Sequence, residues 1–292
     1  MKKYKIENDK LTVELTSLGG TFSSIRNAEG KEYLWQGDAG FWSGQAPICF
    51  PICGSLRNNT AETIDGKTIS MPRHGIVKNR EFELVEAAQN SITFRLESDG
   101  QLKEQYPYDF SFETSYVLHE NTIHITYRVT NNGDVRIPYT MGGHTGFKCP
   151  LDEGEKYTDY VVEFDRPEQN DVPTPVAETA LLDTKRRMPI PQEGRLLRLS
   201  HDLFLNDLLC YDHLKSSVVT LKHKEEEKGV RVIFPELPYL VLWSDGGNYL
   251  CIEPWSGTCT AEDEDDIYDH KPGVAYVKPG QKGEIHFAYE IF

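Results

Sequence analysis

The sequence predicts an all-β fold, a sandwich of antiparallel sheets. Apolar and polar residues alternate with a period of two along most of the 292 residues, which places every second side chain on the same face of a strand. No segment carries a sustained apolar stripe with the helical period. Clear alternating sets are Leu11, Val13 and Leu15; Ile92, Phe94 and Leu96; Ile123, Ile125, Tyr127 and Val129; and Ile285, Phe287 and Tyr289.

Turn residues separate the alternating runs, as expected for antiparallel strands that follow one another along the chain. Asp65-Gly66 predicts a two-residue hairpin loop. The best helical candidate, residues 202–214, is short. Further predicted turns are Asp99-Gly100, residues 131–133 and Gly246-Gly247.

One continuous domain over residues 1–292 is expected, because the chain has no repeat of fixed period, no low-complexity tract and no Pro/Gly/Ser-rich linker. Residues 166–192 are rich in proline and charge, which predicts long surface loops. The acidic run 262–266 lacks the ligand spacing and the central glycine of an EF-hand loop, so it predicts a solvated loop.

The composition indicates a soluble globular protein. Hydrophobic residues make up 38% of the chain and charged residues 26%, and no segment approaches the ~18 apolar residues of a membrane span. The first ten residues, MKKYKIENDK, lack the apolar core of a secretory signal. We therefore expect a cytoplasmic protein.

Cysteine spacing and net charge narrow the choice of cofactors and partners. The six cysteines have no CxxC or paired Cys/His spacing, so we expect free buried thiols and no metal site. The net charge of -15 disfavours nucleic acid and anionic membranes as partners, because like charges repel. A neutral small molecule is the expected partner, bound by a monomer or a homodimer.

Three titratable residues interrupt apolar or glycine-rich segments and are candidate site residues. His74 lies in MPRHGIV, His144 in GGHTGF and Glu253 in CIEPWSG. Alternation puts Leu250 and Ile252 on one strand face and Glu253 on the other, where partial desolvation would raise its pKa toward that of a general base. The alternative is structural: a Glu paired with Arg or Lys, and histidines that bridge backbone groups.

A further candidate region, residues 35–57, packs aromatic, proline, cysteine and glycine residues around one arginine, Arg57. The guanidinium of Arg57 either donates to substrate hydroxyls or forms an ordinary ion pair. Five aromatic side chains, which either stack on a sugar ring or belong to the core, are Trp35, Trp42, Phe147, Trp243 and Trp255.

Six segments follow one another in the order seen in the aldose 1-epimerase (galactose mutarotase) family, which the chain resembles over most of its length. The resemblance is greatest to the LacX-like branch of that family, and it implies a large twisted antiparallel β-sandwich with an open cleft. The segments are APICFPICGSLRNN (46–59), IDGKTI (64–69), MPRHGIV (71–77), GGHTGF (142–147), FLNDLL (204–209) and CIEPWSG (251–257).

The resemblance implies a role for each candidate. Glu253 matches the family's general base, which takes the proton of the sugar C1 hydroxyl, and His144 matches the general acid, which protonates the ring oxygen. His74 and Arg57 match substrate-binding residues, as does Asp207, although Asp212 competes with Asp207 for that match. The implied reaction interconverts the α and β anomers of a hexose without a cofactor.

Departures from the family pattern keep other functions open. Thr145-Gly146 replaces the two middle positions of the H-P-x-F segment of galactose mutarotases. The stretch after His74 reads IVKNR, where many relatives have a phenylalanine and an arginine, so Lys78 or Arg80 is expected to take the basic role. One alternative is a hexose-6-phosphate mutarotase with a basic cluster at the cleft, for which the candidates are Arg57, Arg73, Lys78 and Arg80. Others are a non-catalytic carbohydrate-binding protein, and a glycoside hydrolase, for which Glu253 has no evident carboxylate partner.

Overall fold

The computed structural model describes residues 1–292, which form 25 strands, one short α-helix and four 3₁₀ helices. The helix α1 is Gly100–Gln105, and the 3₁₀ helices are Arg57–Asn59, Tyr157–Asp159, His201–Phe204 and Tyr268–His270. The strands are β1 (Lys3–Glu7), β2 (Leu11–Thr16), β3 (Thr21–Asn27), β4 (Ile48–Cys49), β5 (Thr60–Glu62), β6 (Thr68–Ser70), β7 (Glu83–Ala87), β8 (Ser91–Glu97), β9 (Phe110–His119), β10 (Thr122–Asn131), β11 (Ile137–Tyr139), β12 (Gly142–Gly143), β13 (Thr145–Lys148), β14 (Tyr160–Phe164), β15 (Asp171–Val176), β16 (Leu181–Pro189), β17 (Gln192–Glu193), β18 (Leu196–Arg198), β19 (Leu209–Tyr211), β20 (Val218–His223), β21 (Gly229–Ile233), β22 (Tyr239–Trp243), β23 (Tyr249–Trp255), β24 (Ala275–Val277) and β25 (Lys282–Ile291).

Two antiparallel sheets dominate the fold. The larger has ten strands in the order β17-β18-β14-β20-β21-β25-β10-β9-β8-β7. The smaller has the order β19-β22-β23-β12-β4, with β13 also paired to β23. The predicted all-β class is confirmed. The four sets of alternating apolar residues lie in β2, β8, β10 and β25, and helix is almost absent.

The two sheets pack face to face through apolar and aromatic side chains, as in a sandwich. Phe147 on the smaller sheet meets Tyr289 on the larger with ring centroids 5.0 Å apart, and Phe50 stacks on Phe112 at 4.4 Å. The hydroxyls of Thr145 and Tyr289 lie 2.8 Å apart across the same interface. The opposite face of the smaller sheet is thus free to build a cleft.

Local turn chemistry differs from the sequence prediction in two places. Thr63 and Lys67 close a three-residue loop rather than a two-residue one, with Gly66 at φ 76°. Asp99 does not form a tight turn; its carboxylate accepts the Leu102 N–H at 2.8 Å and caps α1. The Gly246 turn joins β22 to β23 as predicted.

Two longer predictions are corrected. Residues 202–214, the predicted helix, do not form one. They overlap the 3₁₀ helix His201–Phe204 and then contain the strand β19, which pairs with β22. Residues 166–192 contain the ribbon β15-β16 rather than loops alone. Pro173 and Pro175 weaken the alternation there, and proline is tolerated in such a two-stranded ribbon because one edge is unpaired.

All six cysteines are buried and unpaired, as their spacing predicts. The structure contains no helix with the length and apolar character that a membrane span requires.

Candidate active site

His144 and Glu253 are neighbours because of strand register. The pairs Gly142↔Trp255 and Thr145↔Ile252 belong to one antiparallel register, which puts His144 directly opposite Glu253. Side chains directly opposite each other in an antiparallel pair project from the same face. The row continues to Val241, which pairs with Glu253, and to Pro47, which precedes the Ile48↔Gly143 pair. All four residues of this row line one cleft.

The glycines on either side of His144 make room for aromatic rings. Gly142 and Gly146 project from the same face as His144, two residues away in each direction. A Cβ at position 142 would collide with the indole of Trp255, and one at position 146 would come within 2.9 Å of Trp42. The GGHTG segment therefore lets two tryptophans lie against the backbone on either side of His144.

His74 reaches the cleft from a loop that holds it in a left-handed conformation, with φ 67°. Its backbone N–H donates to the Gly54 carbonyl at 2.7 Å, and the Gly54 N–H donates to His74 Nδ1 at 3.2 Å. Because Nδ1 accepts, the neutral ring carries its proton on Nε2. Burial, followed by repulsion from His144, holds the pKa of His74 well below its usual value, so the ring is neutral.

The cleft is small, and both apolar and titratable side chains line it. It encloses about 190 Å³, less than the ~300–1,000 Å³ typical of sites for drug-sized ligands. The His144 ring contacts His74 edge-to-face at 4.8 Å, Trp42 at 5.1 Å and Trp243 at 6.0 Å between centroids. This size and these aromatic walls suit a single sugar ring.

Burial favours the uncharged forms of both central groups. It raises the pKa of Glu253 well above its usual value, against the opposing effect of Arg73. It lowers the pKa of His144 to about 3, helped by Arg73 and Lys78. The cleft thus holds a carboxylic acid beside a neutral imidazole, with His144 Nε2 3.4 Å from Glu253 Oε2.

Three buried polar atoms in this cleft lack hydrogen-bond partners: Glu253 Oε2, His144 Nδ1 and Arg73 Nε. An unsatisfied buried polar atom costs about 1–3 kcal/mol. Buried orphans of this kind are expected where a ligand supplies the missing partners.

Arg73, which precedes His74, supplies the guanidinium of the cleft. Its Nη2 lies 3.5 Å from Asp207 Oδ2, so Asp207 stands at the edge of the cleft in a left-handed conformation, with φ 81°. Asp212 is instead held by Arg187 at 2.9 and 3.0 Å. Of the two competing aspartates, the one beside the cleft is Asp207.

Arg57, which the family resemblance matches to a substrate-binding residue, does not line the cleft. Its Nε donates to both carboxylate oxygens of Asp266 at 3.0 Å, and its Nη2 donates to carbonyls of residues 261, 262 and 264. The acidic run 262–266, predicted to be a solvated loop, thus folds over Arg57 and accepts hydrogen bonds from its Nε and Nη2. Of the four basic residues that the sequence offers for a cluster at the cleft, Arg73 and Lys78 line it, whereas Arg57 and Arg80 do not.

The aromatic candidates divide into two groups. Trp42, Trp243 and Trp255 line the cleft. Trp35 stacks on Tyr249 at 4.9 Å, and Phe147 belongs to the buried core.

A metal ion could find three ligand types here, because donor atoms of His144, Cys251 and Glu253 lie within 4.8 Å of one another. Burial raises the pKa of the Cys251 thiol and of the Glu253 carboxyl well above their usual values. Metal binding requires the deprotonated forms of both, so this donor set fits a metal poorly.

Comparisons of the sequence and of the structure with known proteins point to the same family. The sequence profile described as aldose 1-epimerase matches residues 2–272. The chromosomal LacX protein of Lactococcus lactis subsp. lactis is 41% identical over 282 residues, which cover 94% of each chain. The galactose mutarotase related enzyme of Lactobacillus acidophilus is 32% identical, with a TM-score of 0.92 over 100% of this chain and 97% of that one.

A galactose mutarotase-like protein of Lactobacillus casei ATCC 334 shares the fold, with a TM-score of 0.91, 23% identity and full coverage of both chains. The profile match and the LacX similarity each extend over nearly the whole chain. The protein is therefore a member of the aldose 1-epimerase family.

Proposed function

We propose that the protein is an aldose 1-epimerase that interconverts the α and β anomers of a hexose by proton transfer to and from Glu253 and His144. The observation that carries this proposal is the cross-strand pair inside the cleft, with 3.4 Å between Glu253 Oε2 and His144 Nε2. Family membership supports the reaction class.

The chemistry requires an acid and a base side by side. The C1 hydroxyl and the ring oxygen are bonded to the same carbon, so the groups that serve them must also be adjacent. Each correctly positioned acid or base typically contributes about 10²- to 10⁴-fold in rate. The opposed positions of Glu253 and His144 meet this requirement.

In the proposed ring opening, the Glu253 carboxylate takes the proton of the C1 hydroxyl while the bond between C1 and the ring oxygen breaks. Protonated His144 gives its proton to that ring oxygen, which leaves a free aldehyde. Rotation about the C1–C2 bond then exposes the other face of the carbonyl. The reversed proton transfers close the ring as the other anomer.

This cycle uses one proton shared by the pair. Before sugar binds, the proton resides on Glu253, and a shift to His144 creates the ion pair that starts the reaction. Hydrogen bonds from sugar hydroxyls to the orphaned Glu253 oxygen favour the carboxylate, and so does the nearby Arg73 charge. Binding of the sugar thereby prepares the acid and the base together.

The remaining cleft residues are proposed to hold the sugar. His74 offers its Nε2–H as a donor, Arg73 offers its unpartnered Nε–H, and Asp207 accepts from hydroxyls at the rim. The tryptophan walls provide apolar faces for the ring. Because Arg57 is engaged by Asp266, its sugar-binding role passes to Arg73 in this proposal.

The test is the rate of anomer exchange for free hexoses and their 6-phosphates, followed by polarimetry and exchange NMR. Wild-type protein should accelerate exchange, whereas Glu253→Gln and His144→Asn should each lose about 10²- to 10⁴-fold while retaining sugar affinity. Glu97→Gln and His286→Asn, two exposed positions outside the cleft, serve as controls. Saturable sugar binding without acceleration would instead identify a carbohydrate-binding protein.

A further inference from the structure

Resting on the proposed function, we infer that the preferred substrate is an aldose with an anionic group, a phosphate ester or a carboxylate, on a carbon remote from C1, and that Lys78 binds this group. The charge and the position of the Lys78 side chain point to this class of sugar.

Lys78 is a half-buried cation without a carboxylate partner. Its Nζ makes one hydrogen bond, to the Arg73 carbonyl at 2.7 Å. Lys228, by contrast, contacts carboxylates of Asp152, Glu155 and Glu226. In a chain with 46 acidic and 31 basic residues, an unpaired and partly desolvated ammonium at a cleft is unusual.

The charged groups that line the cleft have a positive balance. They are Arg73, Lys78 and Glu253, and burial keeps Glu253 protonated, as its raised pKa indicates. Asp207 offsets Arg73 from the rim at 3.5 Å. Burial and then Arg73 lower the pKa of Lys78. A neutral sugar would leave this ammonium unpaired, whereas an anionic substituent would neutralise it.

Lys78 also stands where the cleft adjoins a second depression. It lines, together with Trp42 and Pro47, an adjoining depression whose other polar residues include Ser43 and Asn79. No carboxylate lines this depression. Hydroxyl and amide groups can donate hydrogen bonds to the oxygens of an anion. A substituent that leaves the ring there meets one positive charge and no negative one.

The global charge of the protein does not contradict this inference. The net charge of -15 repels large polyanions over long distances. At ordinary ionic strength, however, the Debye length is only about 8 Å. A small anion inside the cleft therefore responds chiefly to Lys78 and Arg73, and the sequence expectation of a neutral ligand does not extend to this site.

The experiment compares kcat/KM for anomer exchange of D-glucose and D-galactose with that of their 6-phosphates and of the corresponding hexuronates, by exchange NMR. Wild-type protein should prefer an anionic sugar, and the two anionic series separate phosphate from carboxylate. Lys78→Met should lower kcat/KM for the preferred anionic sugar by about 10- to 100-fold, the usual value of a hydrogen bond to a charged group. Lys78→Arg should retain most of the preference.

Lys148→Met is the matched control, because Lys148 is also half-buried and donates to a carbonyl, that of Leu151, at 3.1 Å. It lies outside the cleft and should leave the preference unchanged. Efficient turnover of neutral hexoses, with no anionic preference and equal behaviour of the two Met variants, would overturn the inference and leave the reaction intact. Absence of acceleration for every sugar would overturn both the inference and the proposed function.

Inorganic phosphate gives a second measurement. It should inhibit anomer exchange of a neutral hexose competitively in wild-type protein and in Lys148→Met, but much more weakly in Lys78→Met. Equal inhibition of all three proteins would contradict binding of the anion by Lys78.

Discussion

His144 and Glu253 face each other across a single pair of antiparallel segments, and their nearest side-chain atoms, Nε2 and Oε2, are 3.4 Å apart. Groups in such direct contact share their electrostatic environment, so neither titrates independently of the other. The pair is best treated as one acid/base unit that holds one proton.

A double-mutant cycle tests this unit. Glu253→Gln and His144→Asn should each cost about 10²- to 10⁴-fold in kcat, and the double variant should cost little more than the worse single variant, because either change already disables proton exchange. Circular dichroism and sugar titration check that fold and binding persist. Additive losses would show that the two groups act independently.

The pH dependence of kcat/KM should reflect the same unit. Independent groups with the usual pKa values of 4.5 for Glu and 6.5 for His would lose activity above pH 6.5, where the imidazolium disappears. In the buried pair, the raised pKa of Glu253 retains the shared proton to higher pH, and the lowered pKa of His144 prevents a second proton from binding until the solution is strongly acidic. We expect no change of slope at pH 6.5 and no acid loss down to about pH 5. Rates corrected for the uncatalysed reaction provide the check.

Arg73 and Arg57 should respond differently to the same substitution. Arg73→Met should raise KM about tenfold or more, because the cleft loses a charged donor, with a small change in stability. Arg57→Met should leave KM unchanged and lower stability, because carbonyls of residues 261–264 and Asp266 lose their partner. Steady-state kinetics and thermal unfolding of both variants decide this, and a raised KM in Arg57→Met would restore Arg57 to the site.

Glu253 should be a source of instability at neutral pH. Its pKa is raised in the folded protein, so the unfolded chain binds fewer protons above pH 4.5 and the free energy of unfolding falls as pH rises through the folded-state pKa. Glu253→Gln removes this loss and should stabilise the protein by about 0.5–2 kcal/mol at pH 7.5. The gain should vanish near pH 4, as measured by urea unfolding.

Glu113 provides the opposite control. Burial favours its neutral form, but hydrogen bonds from Arg95 and Arg128 outweigh burial and lower its pKa. Glu113→Gln should therefore destabilise the protein by about 1 kcal/mol at neutral pH, and the difference should shrink as pH falls through the lowered pKa. A gain in stability from both substitutions would contradict the assigned electrostatics.

Local sequence pattern determined the strand-rich fold and the side of the strand from which Glu253 projects. Period-two alternation reports which residues share a face, and that property depends only on neighbours along the chain. Ile252 accordingly packs in the core, while Glu253 lines the cleft. The glycines around His144 likewise marked a place where other groups approach the backbone closely.

Tertiary structure alone decided which candidate residues lie together in the cleft and which of them carry a charge. The register that opposes His144 to Glu253 depends on pairing between segments far apart in the sequence. The fold also brings the acidic loop 262–266 to Arg57, which bonds Asp266 outside the cleft, whereas Arg73 lies in the cleft beside Asp207. Protonation depends on desolvation, which exists only once the sheets and tryptophans have packed around a group, so no sequence pattern reports it.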